Sequence, residues 1–112
     1  MEQQQLLTAE DLLLGTQSTF DVVIPEALLG EDRPFGSIVL KPLSIGTFNL
    51  ILKAAKNDMG MMPLLMIKES LVAPELTLEQ VKKLQLGLSE FIVNKIRTIS
   101  GLHEKKKLTN GS

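Results

Sequence analysis

The stretch Ser37-Ile38-Val39-Leu40-Lys41-Pro42-Leu43-Ser44-Ile45-Gly46-Thr47-Phe48 contains the change of period that decides the fold. Its first half, Ser37 to Lys41, runs through Ile, Val and Leu and is closed by Pro42, which is strand composition with a terminator. Its second half opens on Ser44, whose hydroxyl suits a helix N-cap. From there Ile45, Phe48, Ile51, Leu52 and Ala55 recur at helical spacing on one side, with Asn49, Lys53, Lys56 and Asn57 on the other.

Upstream of this junction, Thr19 to Ile24 reads as a first strand, with Phe20, Val22, Val23 and Ile24 ended by Pro25. Between the strands, Pro25 to Gly36 is a long loop or flap rich in Pro, Gly, Glu and Asp. Two strands alone are marginal in water. They must pack on the helices or gain strands from another chain. Further upstream, Thr8 can cap a short helix through Leu12, Leu13 and Leu14, with Asp11 in its first turn and Gly15 suited to a left-handed C-terminal position.

Downstream, everything after Pro42 reads as helix. Asn57, Asp58 and Gly60 break the first helix. Pro63 sits in the first turn of the next, which is expected to run to about Ala73, before Pro74. Thr77 and Gln80 have capping-box spacing and open a short helix carrying Val81 and Leu84. The last helix runs from Leu86 or Leu88 to Ser100. Leu88, Ile92, Ile96 and Ile99 are its core stripe, Phe91 and Val93 its flanks, and Glu90, Asn94 and Arg97 its wet stripe, with Gly101 as the stop.

The expected architecture is one α+β domain over residues 1–112. A short N-terminal β-hairpin (19–41) packs on a C-terminal helical part (44–101) of about four helices, and 1–7 and 103–112 are flexible.

Composition bounds the function. Hydrophobic residues are 44% of the 112, enough for a core, and with no Trp, no Tyr and only four Phe that core is built from Leu, Ile, Val and Met. The net charge is -1 and the one basic run is Lys105-Lys106-Lys107, which disfavours nucleic-acid binding. No cysteine is present, so thiol catalysis, disulfides and thiolate metal sites are excluded. The start lacks a basic signal-peptide region and no apolar run approaches the roughly 20 residues of a membrane span. A cytoplasmic protein without membrane contact is the expectation.

Catalysis has little to stand on. His103 is the only histidine and falls in the polar tail, whereas a general base needs a fixed position. Glu10-Asp11 and Glu31-Asp32 are adjacent pairs, which suit a helix N-terminus and a loop rather than converging acids. Gly15, Gly30 and Gly36 lack phosphate-loop spacing. No catalytic, cofactor or metal residue is expected.

The feature that stands out is Asp58-Met59-Gly60-Met61-Met62-Pro63-Leu64-Leu65-Met66-Ile67, with four of the five methionines. On a helical wheel Leu64, Ile67 and Leu71 fall on one side, and Met62, Leu65, Met66 and Val72 largely on another. A helix apolar nearly all round is either sandwiched within its own fold or buries its spare side in a partner. Methionine suits a surface that adapts to helical clients. Met59, Met61, Met62, Leu65, Met66 and Val72 are the candidate partner-binding residues.

The order of pieces resembles a known family. Leu40-Lys41-Pro42-Leu43-Ser44 leads into Phe48 to Lys56. Leu64-Leu65-Met66-Ile67-Lys68-Glu69-Ser70-Leu71-Val72 follows, then Pro74-Glu75-Leu76-Thr77-Leu78-Glu79-Gln80-Val81. Gly87-Leu88-Ser89-Glu90-Phe91-Ile92-Val93 and Ile96 to Leu102 close it. Over about residues 37–102 this is similar to the small tail assembly chaperones of long-tailed phages and phage-like elements, while the first 36 residues match only loosely. The resemblance implies a non-catalytic protein that coats the helical tape measure protein, keeps it soluble during tail assembly in the host cytoplasm, and leaves before the particle matures. The tail tube protein and further copies of the chain are candidate partners. The alternative function is a permanent structural subunit of a phage tail, baseplate or injection particle.

Overall fold

The computed structural model describes residues 4–30 and 36–102. The expectations placed on His103, on Lys105 to Lys107, on Glu31-Asp32 and on the tail lie outside these residues.

The fold is α+β, a three-stranded antiparallel sheet in the order β1-β2-β3 set against helices. The elements in chain order are α1 (Ala9–Leu13), β1 (Phe20–Ile24), β2 (Gly36–Leu40), α2 (Ile45–Ala54), α3 (Met61–Ser70), β3 (Leu71–Ala73), α4 (Leu78–Val81) and α5 (Leu86–Ile99). Short 3-10 turns cover Leu14–Thr16 and Glu26–Leu28.

The hairpin forms as its composition predicts. Phe20 faces Leu40, Val22 faces Ile38 and Ile24 faces Gly36. Period-2 alternation then puts Val22, Ile24 and Leu40 into the core and leaves Asp21 and Val23 outside. The third strand comes from within the chain, which corrects one expectation. The helix predicted to reach Ala73 stops at Ser70, and Leu71–Ala73 extends the sheet. Pro74 disfavours helical backbone at Ala73, and the open edge of β2 supplies partners, pairing Val39 with Ala73 and Leu40 with Leu71. The junction is fixed at Ser70, fully buried. Its hydroxyl donates to the Lys41 carbonyl, and the Lys41 N–H donates to the Ser70 carbonyl at 2.9 Å.

Helix ends follow local chemistry. The Ser44 hydroxyl accepts from the Thr47 N–H at 3.2 Å, and Thr77 and Gln80 cap each other reciprocally. α5 ends in a left-handed Gly101 at φ 81°, with the Leu102 N–H on the Arg97 carbonyl and the Gly101 N–H on the Thr98 carbonyl. The Leu43 N–H donates to the Ser100 hydroxyl at 2.9 Å, pinning the end of α5 to the β2–α2 connection. Ile92 and Ile96 are buried on α5 while Leu88, Phe91, Val93 and Ile99 are half-buried around them, as the stripe predicts.

Two further expectations are corrected. Gly15 lies in the 3-10 turn and is not left-handed, because the chain continues helically past Leu13. On α2 the inward residues are Phe48, Ile51 and Ala55, whereas Ile45 and Leu52 face water. Ile45 opens the helix beyond the reach of its neighbours, and Leu52 lies at the edge of the arc that the core covers.

At the other end of the chain, Thr8 and Asp11 form a reciprocal capping box on α1, with the Thr8 N–H on the Asp11 carboxylate at 2.8 Å and the Asp11 N–H on the Thr8 hydroxyl at 3.1 Å. The backbone bond from Thr8, then its hydroxyl, hold the Asp11 carboxyl below its ordinary pKa. A lowered folded pKa contributes stability above the unfolded value of about 4, lost as the pH falls through the folded one. The expected result is a carboxyl titration of Asp11 below the ordinary aspartate value, with the Thr8 amide resonance moving in step. An Asp11 that titrates at the ordinary value would remove the box from solution.

Candidate functional site

The segment singled out for partner binding is divided by the fold. α3 packs against α2, α4 and α5. Met66, only 2% exposed, is turned into the core beside Ile67 and is therefore a packing residue rather than a partner contact. Met62 and Leu64 are half-buried against the same core, and Met61 is half-buried at the start of α3. Met59 is exposed in the turn before α3, and Val72 is exposed on β3, away from any helical face. The six residues do not form one surface.

Of the six, Leu65 belongs to a groove. Thr47, Leu50, Ile51 and Ala54 of α2 and Leu65 and Glu69 of α3 line an open cleft of about 210 Å³. The spacing explains the cleft. Positions 47, 50, 51 and 54 form one ridge of α2, and positions 65 and 69 form one ridge of α3. Small Ala54 between larger neighbours leaves the gap unfilled. The floor is aliphatic, with Thr47 and Glu69 at the polar rim, and Leu50 is 66% exposed there. Lys53 follows Leu50 by one turn on the outer side of α2.

The sequence carries a signal for this site in Leu50. Leu50 falls between the predicted core stripe and the predicted wet stripe of α2, an apolar residue assigned to neither. Leu50 and the aliphatic floor beside it are the apolar part of the cleft.

Other features have different chemistry. The cleft of Thr16, Lys41, Pro42, Leu43, Ser44, Thr47 and Glu69 is polar and adjoins the groove at Thr47 and Glu69. Among the described residues no cluster of three or more His, Asp or Glu comes together, and the one ion pair is the exposed Lys82–Glu79 contact at 3.4 Å. No described helix is long and apolar enough to cross a membrane. The chain matches no family model, no curated protein and no solved structure.

Proposed function

We propose that this chain is an assembly chaperone of the phage-tail type, which holds the apolar stripe of a helical client, a tape measure protein, in the groove between α2 and α3. The observation that carries the reading is the solvent-open aliphatic floor of Leu50, Ile51, Ala54 and Leu65. A floor built from residues at helical spacing on two helices suits side chains at i, i+3, i+4 and i+7 of an incoming helix. The resemblance over residues 37–102 supports the same reading. A short groove gives a modest hold at each site, so that tube subunits can displace it, and many copies along one client supply avidity. The proposed reaction is binding and release, with no covalent chemistry, in the host cytoplasm.

The test is co-expression with the large helical client. Leu50→Asp with Leu65→Asp places charge on the groove floor and is expected to weaken client binding at least about tenfold, leaving the client in the pellet. Circular dichroism checks that the variant is folded. A folded double variant that keeps the client in solution as the parent does would sink the proposal.

The alternative of a permanent structural subunit has one observation in its favour. Among the described residues β1 is an edge strand with one side unpaired, and its Phe20 and Val23 are exposed. Such an edge can add a strand in a ring of subunits. Mass spectrometry of purified particles separates the two, since the chaperone leaves and the subunit stays.

A further inference from the structure

The methionine run that stands out in the sequence is graded by the fold. Met59 is 59% exposed, Met61 and Met62 are half-buried, and Met66 is 2% exposed. One side-chain type therefore stands at three depths within residues 59–66. The thioether sulfur is the group whose reactivity such a gradient separates, because an oxidant has to touch the sulfur to react with it. Met59 lies in the turn before α3 and lines no part of the α2–α3 groove, so the proposed client site leaves it unused.

The turn takes backbone from Met59 and leaves its side chain out. The Met61 N–H donates to the Asp58 carbonyl at 2.9 Å, the Met62 N–H to the Met59 carbonyl at 3.1 Å, and the Gly60 N–H to the Asp58 carboxylate at 3.1 Å. These bonds open α3, whose N-cap Gly60 has no side chain to offer. The Met59 sulfur can therefore change its chemistry without withdrawing a hydrogen-bond partner from the helix. Met62, by contrast, packs on the core, and Met66 belongs to the core cluster with Ile67, Ile92 and Ile96.

We infer that Met59 is a modification site, oxidised by hydroperoxides to the sulfoxide while the fold is kept. The sulfur lone pair attacks one oxygen of hydrogen peroxide. The O–O bond breaks as the S–O bond forms. Sulfur loses two electrons to the peroxide, and the leaving oxygen takes the proton of the transferred one and departs as water. The product is a polar side chain, which at Met59 stands in water. At Met66 the same product would place a polar group in an aliphatic core, which is costly. The Met66 sulfur also meets the oxidant only when the core opens, a state populated by a small fraction of molecules. Depth thus controls both the rate and the consequence of the reaction.

Timed exposure of the full chain to excess hydrogen peroxide, followed by peptide mass spectrometry, tests this. Met59 is expected to be oxidised at least about tenfold faster than Met66, with Met61 and Met62 between them. In concentrated urea the four rates are expected to converge, because depth and not neighbouring sequence sets the order. Circular dichroism, taken once Met59 is modified and Met66 is not, is expected to match that of the untreated chain. Met59→Leu is expected to remove the fast event and leave the slow rate of Met66 as it was. Met61, Met62 or Met66 reacting as fast as Met59 in the folded chain overturns the inference. So does an order that persists in urea, or a loss of helix that accompanies oxidation of Met59. The assay contains no client, so its failure leaves the chaperone proposal standing, and a failed client assay leaves the oxidation site standing.

Discussion

Ile67→Ala is expected to cost about 2–5 kcal/mol of folding stability. Ile67 is fully buried on α3 and shares one core with Leu40 of β2, Ile51 of α2 and Ile92 and Ile96 of α5. Every main element of the fold meets there, so removing its outer carbons opens a void that no single neighbour can relax into. A domain of this size holds only about 5–15 kcal/mol in total, so the variant loses a large share of its stability and roughly 8 °C or more in Tm. Urea unfolding followed by circular dichroism measures it. Leu50→Ala is the contrasting variant, because its side chain stands mostly in water, and it is expected to cost less than about 1 kcal/mol. Equal losses in the two variants would mean that the core and the groove have been confused.

Ser70→Ala is expected to cost about 1–3 kcal/mol, a large effect for the loss of one oxygen. The hydroxyl is fully buried and donates to the Lys41 carbonyl at the end of β2. Alanine leaves that carbonyl without this donor and in a place water does not reach freely. The loss is also local. Ser70 is the last residue of α3 and the residue before β3, so the pairing of Leu71 and Ala73 with β2 depends on its position. Amide exchange of Val39 and of residues 71–73 is expected to speed up more than exchange in the middle of α5. An unchanged midpoint with unchanged exchange would show that the backbone bond from Lys41 to Ser70 holds the junction by itself.

The groove and α1 differ in how far they could be read in advance. The cap of α1, Thr8 with Asp11, is written in four residues and forms as read. That its leucines stand exposed among the described residues is not a local property, since the same pattern serves a helix packed on its own core. Similarly, the methionine segment announced an apolar helix but not its rotation. With apolar side chains nearly all round, α3 has no preferred inward side of its own, and its neighbours chose Met66 and Ile67 for the core.

What the sequence by itself determined is everything carried by nearest neighbours along the chain. The period change across Pro42, the caps at Ser44 and Thr77, the glycine stop at Gly101 and the strand composition of β1 all act within a few residues, and each forms as read. Only the tertiary structure decided β3, the burial of Met66, the exposure of Ile45 and Leu52 and the cleft beside Leu50. A three-residue strand has too few side chains to specify itself; it exists because β2 offers an open edge and Ser70 aims the chain along it. The turning of a helix about its axis is likewise set by the volumes packed around it, which no window of its own sequence contains.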